Sequence, residues 1–172
     1  PPLPARVPIF YGWVILPVAS LALFVSGPGQ TYTISVFIDP FIKEFGWSRT
    51  LVSTLYTAGS LTAATAMLLV GRLFDRYGAR VMLVGIGLLF GMAVITMSKV
   101  NQPIELYIGF VALRTLGQGS LTLIPTALIA VWFIRNRGKA TALSSIGMVA
   151  SAALLPPITH LLISHVGWRE AW

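Results

Sequence analysis

Long apolar runs make up most of the sequence, and short clusters of charged and turn-forming residues separate them. A helix needs about 20 apolar residues to cross the hydrocarbon core of a bilayer. Five runs reach that length, at about residues 12–38, 48–70, 81–98, 104–133 and 139–164. The pattern therefore predicts an all-α membrane protein with five transmembrane helices. Residues 1–10 are predicted to form a tail, and residues 167–172 to begin a sixth helix.

Residues typical of helix ends mark the borders of these runs. Ser48 is a suitable N-cap for the second run, and Pro103 stands at the first turn of the fourth. Tryptophan concentrates at the two interfaces of a membrane. Four borders carry one: Trp13, Trp47, Trp132 and Trp168. We expect these side chains to anchor the helices at the interfaces.

The composition excludes several classes of protein. With 56% hydrophobic and 10% charged residues, the chain falls outside the range of soluble globular domains. Its net charge of +7 does not indicate a nucleic-acid partner, because the basic residues lie in short loops between apolar runs. The sequence contains no cysteine, so disulfides and thiolate chemistry are excluded. It also contains no metal-ligand cluster and no phosphate-binding glycine loop, so neither a metal nor a cofactor is predicted.

The basic residues are unevenly divided between the two sides of the membrane. The tail and the loops after the second and fourth runs contain Arg6, Arg72, Arg76, Arg80, Arg135, Arg137 and Lys139. The opposite side contains Lys43, Arg49, Lys99 and Arg169, together with the acids Asp39, Glu44 and Glu105. Because cytoplasmic loops carry the excess of lysine and arginine, the N-terminal tail is predicted to be cytoplasmic.

The loop after the second run reads Gly71-Arg72-Leu73-Phe74-Asp75-Arg76-Tyr77-Gly78-Ala79-Arg80. Its glycines allow the backbone to turn tightly. The pattern G-x-L-x-D-R-x-G-x-R closely resembles the loop between helices 2 and 3 of the major facilitator superfamily of transporters. Phe74 and Ala79 depart from that pattern, since a small residue and a basic residue are common at their positions.

The resemblance extends over nearly the whole chain. Arg137-Gly138-x-Ala140 resembles the short loop between helices 4 and 5, and Arg114 with Gly117 and Gly119 resembles the arginine motif of helix 4. Residues 45–49 and 167–169 are similar to segments of the bacterial monocarboxylate and oxalate/formate porters. Such transporters have twelve helices in two halves. The resemblance therefore implies an incomplete six-helix N-terminal half, over residues 11–172, in a bacterial inner membrane.

The resemblance also implies a gate on the cytoplasmic side, formed by Gly71, Asp75, Arg76, Gly78 and Arg80. In the superfamily, the acid equivalent to Asp75 latches the two halves together in the outward-open state. The partner of that latch would lie in a C-terminal half. The alternative is that Asp75 is a solvated loop charge.

Arg114 is the most informative single residue for function. It lies about ten residues into the fourth run, or about 15 Å from its end, and an arginine at that depth normally faces a cavity or a partner. Its guanidinium suits a carboxylate, and Gln118 and Thr122 follow on the same helical face. The alternative is a structural arginine that binds polar groups of helix 1 and the backbone.

The first run carries the second group of candidate binding residues. Ser26, Gln30 and Thr33 have the spacing of one polar stripe, with Tyr32 beside it. Gly27-Pro28-Gly29 is expected to break this helix, and broken helices near the midplane point to binding sites in transporters. A simple packing kink is the alternative. By resemblance, Tyr32 stands where animal monocarboxylate porters have a lysine. A tyrosine at this position is more similar to the oxalate/formate porters.

Small and hydroxylated residues are predicted to serve helix packing rather than binding. They are Ser53, Thr57 and Ser60 in the second run, Gly85, Gly87 and Gly91 in the third, and Gly117 and Gly119 in the fourth.

These features favour a secondary transporter that moves a small organic anion, such as a carboxylate, by alternating access. The coupling partner would be a proton or a counter-anion. A porter of a neutral solute or drug is one alternative, and a non-transporting membrane scaffold or partner subunit is another. An enzyme is not predicted, because one core arginine, the distant His160 and His165, and no core acid do not make an active site.

Overall fold

A computed structural model describes residues 11–172 of the protein. The predicted cytoplasmic tail, residues 1–10 with Arg6, lies outside the described residues. The helices are α1 Gly12–Val25, α2 Thr31–Phe45, α3 Arg49–Met97, α4 Pro103–Ala112, α5 Leu121–Trp132, α6 Arg137–Val166 and α7 Trp168–Ala171. A 3₁₀ turn, Gly27–Gly29, joins α1 to α2, and a π-helical segment, Leu113–Ser120, joins α4 to α5. The prediction of an all-α membrane protein is confirmed.

The helix α3 accounts for two of the five crossings. Its 49 residues would extend about 73 Å as one straight helix, more than twice the thickness of a bilayer core. Gly78 breaks it, with φ 75° and ψ 166°. The stretch Pro103–Trp132 and α6 are, like α3, long and apolar enough to cross a membrane. We assign the remaining crossing to the shorter apolar helix α1 together with α2.

The structure shortens the predicted loop at residues 71–80. Helical structure continues through Tyr77, so Gly71 lies inside a helix and Gly78 alone makes the turn. The expectation that both glycines serve the turn is therefore wrong for Gly71. Of the two glycines at residues 71–80, Gly78 has a positive φ and Gly71 does not, and side chains with a Cβ avoid the region that Gly78 occupies.

This difference gives a direct test of the turn. Gly78→Ala in the full-length protein is expected to lower the free energy of unfolding by about 1–3 kcal/mol, because alanine is strained at this φ and ψ. Gly71→Ala is the matched control: its site is helical and open, so we expect a change of at most about 1 kcal/mol, in the stabilising direction. Thermal unfolding in detergent measures both. Equal effects would show that Gly78 does not carry the turn.

Packing contacts fix the directions of the two parts of α3 relative to the fourth crossing. The pairs are Gly59 with Phe110, Met67 with Gly119, Phe90 with Gly117, and Met97 with Gly109. From the first pair to the second, the residue number rises on both helices, so residues 49–77 run parallel to the fourth crossing. From the third pair to the fourth, the residue number rises in α3 but falls in the fourth crossing, so residues 79–97 run antiparallel to it. The two parts of α3 therefore cross in opposite directions.

The first and fifth crossings run parallel and lie close together. Gly147 of α6 packs against the backbone of Ser20 in α1, and Gly27 packs against Ser151. The Tyr32 hydroxyl donates to Ser151 Oγ over 3.0 Å. The alternation of directions gives the bundle two ends. The Gly78 end contains Gly78 and residues 133–136, and the Trp168 end contains residues 46–48, 98–102 and 167.

Much of the apolar surface of the bundle faces outward. Leu68 and Val131 are each 71% exposed, and many other large apolar side chains are similarly placed. A soluble monomer rarely exposes apolar surface on this scale, whereas a bilayer covers it without cost. Glycine packing follows the prediction in the fourth crossing but not in the third. Gly117 and Gly119 are in close contact, while space is open around Gly85, Gly87 and Gly91.

The helix ends agree with most of the expected signals. Ser48 Oγ accepts from the Leu51 amide over 3.1 Å, and Pro103 begins α4, as predicted. A capping box between Gln102 and Glu105 was not predicted.

Trp168 corrects the interface-anchor prediction. It is 6% exposed, and its indole nitrogen donates to Glu44. It therefore packs inside the Trp168 end instead of facing the interface.

Candidate functional site

Two irregular segments meet near the middle of the bundle and place Arg114. The π-helical segment Leu113–Ser120 contains it, and Ser120 Oγ donates to the Thr115 carbonyl over 2.8 Å within that segment. Short π-helical insertions occur frequently at functional sites. The 3₁₀ turn packs directly on this segment, since a Cβ at Gly29 would stand 2.9 Å from Gly117 Cα. Only glycine allows this approach, which brings the first residue of α2 beside Arg114.

Arg114 contacts two residues from different helices. Its Nη1 donates to Thr31 Oγ1 over 3.1 Å. Its guanidinium carbon lies 5.0 Å from the centre of the Tyr56 ring, a cation–π distance. The Thr31 and Tyr56 hydroxyls are 2.8 Å apart and hydrogen-bonded to each other. We call Arg114, Thr31 and Tyr56 the Arg114 cluster.

The Arg114 cluster has more hydrogen-bond donors than acceptors. A guanidinium has five N–H donors, and the described contacts of Arg114 use one of them. The Thr31–Tyr56 bond uses one of two hydroxyl hydrogens, so the other remains. Within residues 11–172, the ion pairs are Arg49 with Asp39 and Arg169 with Glu44, so neither involves Arg114. Half-buried and without an acid partner in the described chain, Arg114 suits an anionic ligand.

Gln118 and Thr122, the predicted companions of Arg114, follow it along the fourth crossing. The Gln118 side-chain oxygen is buried and has no hydrogen-bond partner among the described residues. The Thr122 hydroxyl donates to backbone carbonyls of its own helix, over 3.0 Å to Gly119 and also to Gln118. Neither side chain is hydrogen-bonded to Arg114 within the described part of the chain.

The predicted stripe along the first run is not continuous. Gln30 has an extended backbone, with φ −85° and ψ 152°, which interrupts the helical phase between Ser26 and Thr33. As a result Thr31, and not the predicted Tyr32 or Thr33, contacts Arg114.

The predicted residues of the first run have other neighbours. Gln30 donates to Ser26 Oγ over 3.1 Å and is buried. Tyr32 bonds Ser151 of α6. Thr33 is buried beside a cavity of about 130 Å³ that Thr159 and Trp172 also line.

Sequence reasoning missed Thr31 and Tyr56. Tyr56 lies between Ser53 and Ser60 on the second crossing, so its position beside the polar face of that helix was a usable signal. Thr31 gave no such signal, because its orientation depends on the backbone of Gln30.

The predicted gate residues lie at the Gly78 end. Asp75, Arg76 and Arg80 are exposed, and the Arg76 guanidinium carbon lies 5.5 Å from the centre of the Tyr77 ring. Asp75 makes no ion pair within the described residues. His160 and His165 are exposed toward the other end, and residues 11–172 contain no group of three side chains able to hold a metal.

Comparison with known proteins decides the family. The sequence model of the Major Facilitator Superfamily matches residues 19–172, which is most of the chain. The chain belongs to the Major Facilitator Superfamily. Its partial helical bundle and its apolar crossings agree with a multi-pass member of that superfamily.

Several members of the superfamily are similar to the chain. It is 28% identical over 170 residues to monocarboxylate transporter 3 of Mus musculus, covering 92% of this chain and 32% of the mouse protein. It is 26% identical over 163 residues to a probable sulfoacetate transporter of Cupriavidus necator, covering 92% and 37% respectively. With a probable L-galactonate transporter of Escherichia coli it shares 30% identity over 131 residues, covering 74% and 28%. The chain therefore spans about a third of the length of these relatives.

Proposed function

We propose that the protein containing this chain is a secondary transporter that moves a small organic anion, such as a carboxylate, through alternating access. The observation that carries the proposal is the donor surplus of the Arg114 cluster. A carboxylate offers acceptors only, and its two oxygens match the planar fork of a guanidinium. The free donors of Arg114 and the remaining hydroxyl hydrogen would bind such an anion together.

The relatives support an anionic substrate without identifying it. Their names refer to monocarboxylates, sulfoacetate and L-galactonate, and each of these carries a negative charge. Their shared chemistry is one small anionic group, which is what a single unpaired arginine suits. A proton or a counter-anion would balance the charge that moves.

The orientation and the gate belong to the same proposal. The Gly78 end carries Arg72, Arg76, Arg80, Arg135, Arg137 and Lys139, and by the positive-inside rule this excess supports a cytoplasmic position for it, in a bacterial inner membrane under this proposal. Asp75 and Arg76 are exposed there, as are Gly78 and Arg80 of the predicted gate, while Gly71 is half-buried. They would contact a C-terminal half when the cytoplasmic side closes. The exposure of Asp75, without an ion pair in residues 11–172, leaves it accessible for that contact.

Uptake into proteoliposomes tests the proposed function. The full-length protein should accumulate a radiolabelled monocarboxylate saturably, and unlabelled carboxylates should compete while their uncharged amides should not. Uptake of a neutral sugar or drug, unaffected by carboxylates, would support the alternative of a neutral-solute porter. A non-transporting scaffold or partner subunit would accumulate neither class above empty liposomes.

A tyrosine substitution tests the role of the hydroxyl pair. Tyr56→Phe keeps the ring under Arg114 but removes one hydroxyl, so we expect KM for the carboxylate to rise about fivefold, as loss of one hydrogen bond predicts. Tyr107→Phe is the matched control, because the Tyr107 hydroxyl, like that of Tyr56, is hydrogen-bonded to a threonine. Its partner is Thr62, over 2.7 Å. We expect KM to change less than about twofold there. A similar rise in both variants would assign Tyr56 no special role in binding.

A further inference from the structure

An apolar groove runs along the outside of the bundle between residues 79–97 of α3 and the helix α4. It has a volume of about 540 Å³, and Leu89, Met92, Ala93, Ile108, Ala112 and Leu116 are among its lining residues. Ala93 of α3 and Ala112 of α4 contribute short side chains to this lining. From Leu89 to Lys99 it extends about 15 Å along the helix axis. The groove is therefore elongated and apolar over most of its length.

The end of the groove near residues 98–102 is charged. Lys99 lies there, is exposed, and forms no ion pair within the described chain. Glu105 lies nearby, but its Oε2 accepts from the backbone amides of Asn101 at 2.7 Å and Gln102 at 3.2 Å. Those amides and the start of α4 stabilise the carboxylate of Glu105. Lys99 is thus the group at this end that is available to an anion.

We propose that this groove binds one phospholipid molecule, with an acyl chain between α3 and α4 and the phosphate beside Lys99. The groove opens on the apolar surface that the bilayer covers, and Lys99 follows directly on the crossing that ends at Met97, where headgroups lie. An acyl chain is apolar, as most of the lining of the groove is. The charge of Lys99 complements a lipid phosphate. This inference is independent of the transported substrate.

Native mass spectrometry of the full-length protein tests the proposal, with phosphatidylglycerol and phosphatidylcholine added in turn as probes. We expect one tightly retained phospholipid, with phosphatidylglycerol preferred. Lys99→Gln should lower that preference about fivefold, the effect of one lysine near an anionic lipid. Lys43→Gln is the control, since Lys43 is an exposed lysine at the same end that does not line this groove. Equal retention and equal preference in all three proteins would overturn the proposal.

Photo-crosslinking gives a second test that does not depend on the headgroup. A photoreactive residue at position 108, which is 60% exposed in the groove, should label phospholipid acyl chains in membranes. Position 131 is the control, because Val131 is exposed on the same crossing but outside the groove. After delipidation, we expect a far higher yield of covalent lipid adduct at position 108 than at position 131. Labelling of another protein segment at 108, or equal lipid labelling at both positions, would show that no phospholipid occupies the groove.

Discussion

Replacing Arg114 with alanine in the full-length protein is expected to reduce carboxylate uptake, measured as kcat/KM in proteoliposomes, by about 10- to 100-fold. The substitution removes the positive charge and the free donors of the guanidinium, and hydrogen bonds to charged groups contribute about 1.5–3 kcal/mol. Arg114→Lys should recover part of the activity, because it restores the charge but not the planar fork. Arg135→Ala removes an exposed arginine far along the chain and should transport normally.

The structural alternative for Arg114 predicts a different result. If Arg114 only holds Thr31 and Tyr56 in place, alanine should lower the thermal stability while KM for carboxylates stays unchanged. A stable Arg114→Ala protein that transports carboxylate at the wild-type rate would rule out the anion-binding role. Protection of the wild-type protein against unfolding by added carboxylate, lost in the alanine variant, would support that role separately from transport.

Replacing Arg169 with alanine is expected to lower the free energy of unfolding by about 2–4 kcal/mol. Arg169 is the centre of a cluster at the Trp168 end. Its guanidinium donates to Glu44 Oε1 over 2.8 Å, to the Ser98 and Val100 carbonyls over 3.0 and 3.2 Å, and to Asn101 Oδ1 over 3.0 Å. Its carbon lies 4.4 Å from the centre of the Trp168 ring. The substitution therefore disconnects α2, the turn after α3 and the start of α7 at once.

The pair of Arg49 and Asp39 provides the control for this prediction. Its two side chains are 68% and 66% exposed, against 33% and 41% for Arg169 and Glu44. An exposed ion pair contributes about 0–1 kcal/mol, so Arg49→Ala should unfold near the wild-type temperature. If thermal unfolding shows the same loss of stability for Arg169→Ala and Arg49→Ala, the multiple contacts of Arg169 stabilise the fold no more than an exposed ion pair does.

The Arg169 cluster should also make stability depend on pH. Glu44 lies in the last turn of α2, beyond the apolar span that ends near residue 38, and hydrogen bonds from Trp168 and then Arg169 hold its pKa below the ordinary 4.5. Since the pKa is lower in the folded state, the stabilisation is complete above pH 4.5 and is lost as pH falls through the folded value. The stability difference between wild type and Glu44→Gln should therefore be constant near neutral pH and shrink below about pH 4.5. A difference that stays constant into acid would exclude ionised Glu44 as its source.

The helical crossings and most of their end signals could be predicted because they depend on local properties of the chain. Apolar length, the glycine at 78 and the cap at Ser48 each act within a few residues, and the structure reproduces them. The position of Arg114 deep in the fourth crossing follows from the same local counting. The loop at residues 71–80 was predicted too long, because a helix can extend past its apolar part until a residue such as Gly78 ends it.

The membership of the Arg114 cluster could not be predicted in the same way. Helical spacing identifies the residues of one face only while the helix is continuous. The extended backbone at Gln30 breaks the helix between Ser26 and Thr33, so their spacing no longer places them on one face. Trp168 shows a related failure, because tryptophan near a span end is as suitable for a buried contact with Glu44 as for the interface.

The sequence by itself determined that this protein is a helical membrane protein, where its chain crosses and turns, and which arginine lies within a crossing. These properties arise from apolar length and backbone freedom, which each short segment carries alone. Only the tertiary structure decided that Thr31 and Tyr56 contact Arg114 and that Arg169 joins α2, the turn after α3 and the start of α7. Those contacts depend on the close approach of Gly29 to Gly117 and on the parallel or antiparallel packing of whole helices. Such packing is set by residues distant in sequence, and so no local pattern contains it.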